Sequence, residues 1–219
     1  LDAAMKDATR YTNAIAQQEN DNALEAIRKA GNATLSAVSS RSQENADRFA
    51  ANHPGATGVQ GTEELFRRAE VGAVYIATPT AAKEAIALAA IAAGKHVLVD
   101  KPFHHLASLR RMTDAAAARG VLFMDATHFS HHPRTALIRA DLPAKIGTPH
   151  SLHTTFYFPF SDRNNIRFNP AQEPMTALGD MGWYSMRAIV EYLRPSGPVT
   201  QAVGFTGSRA GGTALMEIA

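Results

Sequence analysis

The feature that most constrains the fold is the segment at residues 71–102, which reads VGAVYIATPTAAKEAIALAAIAAGKHVLVDKP. Two short apolar runs flank an alanine-rich stretch at residues 81–93. Strand, helix and strand in about thirty residues is the length of a parallel βαβ unit, because parallel strands need a crossover connection. The polar residues that follow the two runs are Thr78-Pro79-Thr80 and Asp100-Lys101-Pro102. The segment therefore predicts polar side chains at the carboxyl edge of a parallel sheet, where open α/β sheets bind ligands.

The first 125 residues continue this alternation. Predicted strands lie at residues 33–38, 73–77, 96–99 and 121–124, and predicted helices lie at 1–29, 43–52, 81–93 and 106–119, with a further short helix that opens at Thr62. We expect Thr62 to provide an N-cap and residues 53–60, which contain Pro and Gly, to form a loop. The alternating order predicts an α/β domain with a doubly wound parallel sheet over residues 1–125.

The pattern changes after about residue 125. Predicted strands lie at 151–160, 199–205 and 213–218, and a helix begins after Pro133-Arg134. A polar loop at 164–173 precedes a predicted helix at 178–193. This mixture predicts a second, α+β domain over residues 126–219.

Composition argues against several classes of protein. The 22 basic and 20 acidic residues are spread without long blocks of one sign, so we expect no nucleic-acid partner. The chain has no cysteine, which removes disulfides and thiolate chemistry and allows a reducing compartment. The longest mainly apolar stretch, residues 85–99, is too short to cross a bilayer, and residues 1–32 lack a signal-peptide pattern. We therefore expect a cytoplasmic protein with no membrane partner.

Ser39-Ser40-Arg41 lies between a predicted strand and a predicted helix. In a dinucleotide-binding fold this position meets the adenosine ribose, where an acidic residue binds a free 2′-hydroxyl. Hydroxyl groups and an arginine suit a 2′-phosphate instead. If a nucleotide binds, these residues favour NADP, with NAD as the alternative. On the local sequence alone, a solvated serine-rich loop is the simpler explanation.

Two further motifs carry candidate acid/base groups. Lys101 at a strand end can donate to a substrate oxygen and stabilise oxyanion charge, although a surface turn is the simpler explanation. Asp180, Gly182 and Tyr184 stand at alternate positions at a helix entry, where glycine permits close approach of the backbone to a ligand. We expect a nearby cation such as Lys101 to lower the pKa of Tyr184. Asp180 is alternatively a helix N-cap.

Three histidines, His128, His131 and His132, raise the question of a metal. Their spacing does not fit a zinc ligand pattern, and no HExxH motif is present. We therefore predict no metal site.

Four segments in fixed order resemble the glucose-fructose oxidoreductase/inositol dehydrogenase/rhizopine catabolism (Gfo/Idh/MocA) family of NAD(P)-dependent oxidoreductases. They read NATLSAVSSRSQENADRFA, AVYIATPT with AGKHVLVDKP, MDATHFSHHPRTA, and NNIRFNP with TALGDMGWYSMRA. Within the family they look most similar to the branch of dimeric dihydrodiol dehydrogenase and NADP-dependent xylose dehydrogenase. The resemblance implies a Rossmann-like domain followed by a substrate and dimerisation domain. It also implies a homo-oligomer that acts on a sugar, polyol or diol.

The resemblance assigns roles to individual residues. Lys101 matches the lysine of the family's Glu-Lys-Pro motif, with Asp100 in place of the glutamate, and Lys83 stands where a histidine is frequent. Asp180 and Tyr184 match the acid and the acid/base of an Asp-x-Gly-x-His/Tyr motif. The implied sets are catalytic Lys101, Asp180 and Tyr184; cofactor-binding Ser39, Ser40, Arg41, Thr78, Pro79, Thr80, Asp100 and Lys101; and substrate-binding His128, Arg167 and Trp183.

The chain also departs from the family. Members open with a strand and a Gly-x-Gly-x-x-Gly/Ala turn, whereas residues 1–30 contain no glycine. That strand is central in a doubly wound sheet, so a missing or atypical first strand predicts a gap in the sheet. We also expect the second domain to be incomplete at residue 219. The favoured function is an NADP-dependent dehydrogenase or reductase of CH–OH groups. The alternatives are a non-catalytic relative that senses a ligand or serves as a structural subunit, and an incomplete record of a working enzyme.

Overall fold

The computed structural model describes residues 31–156, 162, 164–205 and 207, and the backbone of 209–210 and 214–215. The elements of the first part are β1 (Ala37–Ser40), α1 (Gln43–Ala51), β2 (Thr57–Gln60), α2 (Thr62–Arg67), β3 (Ala73–Ile76), α3 (Thr80–Ala92), β4 (His96–Val99), α4 (Leu106–Arg119) and β5 (Phe123–Asp125). The later elements are a 3₁₀ turn (His128–His131), α5 (Pro133–Ile146), a second 3₁₀ turn (Ile166–Phe168), a π-helical turn (Leu178–Gly182), α6 (Trp183–Ala188), a second π-helical turn (Ile189–Leu193), β6 (Arg209–Ala210) and β7 (Ala214–Leu215).

The strands of the first part are parallel, as the alternating sequence predicts. β1 pairs with β2, and β4 lies between β3 and β5 in a second sheet. Among the described residues the two sheets are not joined by strand pairing. The gap between the two sheets lies between β1 and β3. The sequence predicts a gap at this position, because the first strand of the family lies there in a doubly wound sheet.

Helices α3 and α4 cover one face of the three-stranded sheet. Val74, Ile76, Val97 and Val99 alternate along β3 and β4 and are buried against this layer. The helices contribute small side chains such as Ala87 and Ala90, with Ile91 and Met112 filling the space between them. Small residues on α3 let the helix lie close to the sheet, and the buried apolar surface stabilises the crossover. The sheet thereby holds the ends of β3 and β4 in fixed positions.

Helix ends follow local capping chemistry in most cases. The Ser42 hydroxyl accepts a hydrogen bond from the Asn45 N–H at the start of α1. Gly120 ends α4 with φ 71°, the left-handed conformation that favours glycine. The expectation that Thr62 caps α2 is wrong, because the N-cap is Gly61 and makes no side-chain hydrogen bond.

Several other expectations are corrected. Residues 57–60, predicted as loop, form β2, because pairing with β1 overrides a weak local β signal. Gly58 is required in that strand, since a Cβ there would lie 2.7 Å from the backbone of α1 at Ala46. Residues 151–156 and 199–205 are not strands, and within the described chain neither has a partner strand to supply its hydrogen bonds.

The remaining differences are small. The first and last strands of the parallel part begin a few residues later than predicted, and the helix predicted at 178–193 is interrupted by two π-helical turns. The predicted helix at 1–29 and the strand residues 157–160 lie outside the described part of the chain. None of the described helices combines the length and apolar character needed to cross a membrane.

Candidate functional site

The centre of the candidate site is an ion pair between the two parts of the chain. Lys101 follows β4, and Asp180 lies in the π-helical turn Leu178–Gly182. The Lys101 Nζ donates to Asp180 Oδ1 at 2.7 Å and to the Asp180 carbonyl oxygen at 3.0 Å. Only 11% of the Lys101 side chain and 15% of the Asp180 side chain are exposed. The sheet edge and the helix entry therefore meet in one partly buried polar centre.

Asp180 has a second cationic partner. Arg167 Nε donates to Asp180 Oδ2 at 2.6 Å, and Arg167 Nη2 donates to Oδ1 at 3.3 Å. Burial alone would raise the pKa of Asp180, but the hydrogen bond from Arg167 and the charges of Lys101 and Arg167 outweigh it and hold the pKa below its usual value. Asp180 is therefore an ionised carboxylate at neutral pH rather than an N-cap.

Tyr184 is the second residue of α6, and its ring lies beside Lys101. The Lys101 Nζ lies 4.6 Å from the ring centroid, and the Phe156 ring stacks on Tyr184 at 5.3 Å. Burial, followed by the negative charges of Asp100 and Asp180, raises the pKa of Tyr184 to about 12. The expectation that Lys101 lowers this pKa is wrong, because the ammonium lies over the ring face and the nearby carboxylates oppose ionisation of the phenol.

The three residues expected to bind substrate have different surroundings. The His128 ring lies edge-on to Tyr184, with centroids 5.7 Å apart, so it borders the centre. Arg167 is engaged by Asp180. Trp183 donates its indole N–H to the Thr127 hydroxyl at 2.8 Å and packs edge-on against Phe103 at 5.4 Å. The roles of these residues toward a substrate stay predictions, and the described contacts of Arg167 and Trp183 are within the protein.

The residues expected to bind a cofactor lie at the ends of three strands, β1, β3 and β4. Ser39 and Ser40 close β1, and Arg41 follows them with an exposed side chain. Thr78 and Pro79 follow β3, and the Thr78 hydroxyl is buried without a hydrogen-bond partner among the described residues. A buried hydroxyl that lacks a partner is unfavourable, so it fits a position that a ligand completes.

The other two predicted cofactor residues have partners within the chain. The Asp100 carboxylate accepts a hydrogen bond from the Lys101 N–H at 3.0 Å. Thr80 is buried, and it donates both its N–H and its hydroxyl to Glu173, at 3.0 and 2.6 Å. The Gln172 carbonyl accepts from the Ala81 N–H at 3.0 Å. The loop at 164–173 thus caps α3 at one end and holds Asp180 through Arg167 at the other.

The residues that sequence reasoning missed are partners rather than new chemical groups. Glu173, Thr127 and Lys83 each contact a residue of the predicted site. Glu173 lies 93 residues from Thr80 in sequence, so no local signal identifies the contact. For Lys83 a signal existed, because a lysine in the first turn of a helix opposes the helix dipole and calls for a specific reason.

Comparisons with known proteins give matches over most of the chain. The sequence profile described as "Oxidoreductase family, NAD-binding Rossmann fold" matches residues 10–127. The dTDP-3,4-didehydro-2,6-dideoxy-alpha-D-glucose 3-reductase of Streptomyces violaceoruber is 35% identical over 186 residues, which cover 82% of this chain and 54% of that protein. A scyllo-inositol 2-dehydrogenase (NADP(+)) of Bacillus subtilis is 37% identical over 130 residues, 59% of this chain and 39% of that protein.

A solved structure shares the same fold. KijD10, a 3-ketoreductase from Actinomadura kijaniata in complex with NADP and TDP-benzene, superposes with a TM-score of 0.70 at 28% identity. The superposition covers 78% of this chain and 52% of that protein. The chain thus spans about half the length of these two relatives, the Streptomyces violaceoruber reductase and KijD10.

Proposed function

The chain belongs to the Gfo/Idh/MocA family of NAD-binding Rossmann-fold oxidoreductases, and from this membership we propose that it transfers a hydride between NADP and a sugar, polyol or dihydrodiol hydroxyl carbon. One observation carries the proposal. Lys101, Asp180 and Tyr184, which come from two separate parts of the sequence, meet at the carboxyl edge of the parallel sheet. This edge is where open α/β sheets bind ligands.

The described residues fit a dinucleotide at this edge. Ser40 and Arg41, with no acidic residue beside them, suit the 2′-phosphate of NADP. The Thr78 hydroxyl, which has no hydrogen-bond partner among the described residues, lies after β3. We assign it a polar contact with the cofactor nearer to Lys101 and Asp180. A bound nicotinamide would accept or supply the hydride. KijD10 was solved with NADP, which supports the same cofactor here, with NAD as the alternative.

The proton is assigned to Tyr184. Because its pKa is about 12, the phenol is protonated at neutral pH and is suited to act as the acid. In the reducing direction the substrate carbon gains hydride, and Tyr184 Oη gives its proton to the former carbonyl oxygen. In oxidation both transfers reverse. The chemistry balances as C=O plus hydride plus proton giving CH–OH.

Lys101 is assigned to the developing negative charge. Its ammonium has three N–H groups, of which two are used by Asp180 within the described residues. The third can donate to a substrate oxygen, and its positive charge stabilises that oxygen as hydride adds to the carbon. Asp180 keeps Lys101 aligned, since the pair is held at two acceptor atoms rather than one.

For the substrate we propose a sugar, with a nucleotide-linked keto sugar as the first candidate. The Streptomyces violaceoruber relative, which matches 82% of this chain, is named as a reductase of a dTDP-linked keto sugar. Near Tyr184 the wall is aromatic, formed by His128, Phe129 and Phe156. Aromatic rings pack against the apolar face of a sugar ring, which supports this class. The proposal includes a cytoplasmic homo-oligomer.

The test combines binding with turnover. NADPH fluorescence should change on titration with the purified protein. Turnover assays then identify the substrate: reduction is tested with dTDP-linked keto sugars, and oxidation is tested with xylose, inositol and diols. Tyr184→Phe should lower kcat by about 10²–10⁴-fold because the proton donor is lost. Tyr192→Phe is the matched control, since the contact of the Tyr192 hydroxyl among the described residues is one of 3.5 Å with Thr135, away from the centre.

The outcomes are separable. Turnover that survives Tyr184→Phe would remove the assignment of the acid. An intact, folded protein that binds neither NADPH nor NADH would favour the ligand-sensing or structural alternative instead.

A further inference from the structure

Lys83 is a buried cation that the proposed chemistry does not use. It lies in the first turn of α3, and only 4% of the residue is exposed. Its Nζ donates to the carbonyl oxygens of Lys101 and Pro102, at 2.7 and 3.2 Å, and lies 3.4 Å from the Thr80 hydroxyl. Three acceptors match the three N–H groups of an ammonium.

This arrangement is costly, which calls for an explanation. Burial lowers the pKa of Lys83, although the charges of Asp100 and Glu173 offset part of the effect. No carboxylate is in hydrogen-bond contact with its ammonium among the described residues; its described partners are carbonyl and hydroxyl oxygens. A buried charge without an ion-pair partner is retained only where its hydrogen bonds matter.

The acceptors show where those hydrogen bonds act. The two carbonyls belong to the segment that carries Lys101 away from β4, and no other donor to them lies in the described chain. On its other side the Lys101 N–H is bound by Asp100, and its Nζ is bound by Asp180. Lys101 is thus held at its amide, its carbonyl and its ammonium, and Lys83 supplies the second of these three contacts.

We propose that Lys83 is a positioning residue that fixes the backbone of Lys101 and so directs the Lys101 ammonium at Asp180 and the reacting oxygen. Lys83 itself touches neither substrate nor cofactor. The inference rests on the proposed function for its effect on turnover, but its effect on Lys101 can be measured without turnover.

The chain contains a matched control. Lys95 is also a buried lysine, 9% exposed, and its Nζ donates to the Arg68 carbonyl at 2.8 Å. It precedes β4 and therefore lies at the opposite edge of the sheet from Lys101. Lys83→Met and Lys95→Met each remove one buried ammonium from a carbonyl, so a general cost to the fold should appear in both variants.

The experiment has two readouts in each variant. Lys83→Met should lower kcat by about 10- to 100-fold with little change in KM, because a small displacement of a catalytic group affects the transition state most. Limiting acetic anhydride, followed by mass spectrometry, should label Lys101 several-fold faster in Lys83→Met, because a lysine side chain released from Asp180 is more exposed than the 11% seen in the ion pair. Lys95→Met should change neither quantity.

The outcomes distinguish this inference from the proposed function. The positioning role is overturned if Lys83→Met folds and has the same kcat and the same rate of Lys101 labelling as Lys95→Met. It is also overturned if the kcat of Lys83→Met falls while the rate of Lys101 labelling stays unchanged. If the wild-type protein shows no turnover, the proposed function fails, and the labelling alone decides the role of Lys83. Should Lys83→Met not fold, Lys83→Gln provides the same test, because its amide keeps polarity but is one atom too short to reach both carbonyls.

Discussion

At the scale of single residues, the charges of the site converge on Asp180. Two cations from separate segments, Lys101 and Arg167, share its carboxylate. Of these cations, Lys101 places its ammonium beside the ring of Tyr184. A positive charge at this position favours an oxygen that gains negative charge during reaction.

Asp180→Asn should destabilise the protein by roughly 3 kcal/mol at neutral pH, because it leaves two partly buried cations without their carboxylate. The folded-state pKa of Asp180 is lowered, so its contribution is present above the unfolded pKa of about 3.9 and is lost as pH falls through the folded value. The difference between wild type and variant should therefore be largest near pH 7 and should narrow below about pH 4. Urea unfolding at pH 7 and pH 3 measures both quantities.

The control for this prediction is Asp141→Asn. Asp141 makes an exposed pair with Lys145 at 3.9 Å, so its loss should change stability by less than about 0.5 kcal/mol. A difference for Asp180→Asn that does not narrow at low pH would show that the carboxylate contributes through packing rather than charge.

The three catalytic residues could be proposed from sequence because the resemblance to the family assigns them, whereas their local patterns alone left simpler explanations open. Their partners could not. Arg167 reaches Asp180 from a loop whose composition resembles any polar loop, and Glu173 reaches Thr80 across 93 residues. Tyr184 is similar, because burial and the charge of the distant Asp100 raise its pKa, and no local sequence pattern predicts either.

At the scale of elements, the π-helical turn Leu178–Gly182 brings Asp180 to the sheet edge. Gly179 makes this approach possible, because a Cβ there would lie 2.8 Å from the Pro102 Cγ and would also collide with the Met175 side chain. The sequence predicts close approach of glycine backbone to a ligand in this segment, whereas Gly179 approaches the segment that follows β4. Insertion of an extra residue into a helical turn is a common device for aiming a side chain.

Gly179→Ala should destabilise the protein by about 1–3 kcal/mol, because the added methyl group overpacks the contact with Pro102. It should also reduce turnover, since displacement of the turn moves the neighbouring Asp180 away from Lys101. Unfolding free energy and kcat of the two proteins test both effects.

Gly72→Ala is the comparison for Gly179→Ala. A Cβ at Gly72 meets no heavy atom within 4 Å, so this change should be neutral or slightly stabilising. Equal effects of the two substitutions would show that the contact between Gly179 and Pro102 does not limit the approach of the turn.

Elements with strong local signals were predicted closely. α4 and β4 have the predicted bounds, β3 ends one residue early, and α3 begins and ends one residue earlier than predicted. β2 was missed because its four residues are mixed in character and depend on β1 for pairing. The strand predicted at residues 151–156 is not formed, which is the reverse of the error at β2. A β-favouring composition does not make a strand when no partner strand lies beside it.

At the scale of the whole molecule, Trp183 and Arg187 add to the contacts that join the later segments to the parallel part. Trp183 packs on Phe103 and bonds to Thr127, which is completely buried. Arg187 donates to Asp125 at the end of β5 at 3.2 Å and to the buried Glu191 at 2.9 Å. The division of the chain near residue 125 stays a prediction, but these contacts cross it.

Trp183 is the single tryptophan of the chain, so its fluorescence reports on this junction. Because the indole is packed against residues of the parallel sheet, the change in its fluorescence in urea should have the same midpoint as the loss of helical circular dichroism. Trp183 emission followed in parallel with the signal at 222 nm measures this. Two separate midpoints would mean that the later segments detach before the sheet unfolds.

The separation between the two sheets has a practical consequence for protein production. Among the described residues β1 pairs only with β2 and β3 only with β4, so each has one edge whose N–H and C=O groups face no strand. Open strand edges are templates for pairing with other chains. Aggregation at high protein concentration is therefore the hazard to monitor during purification.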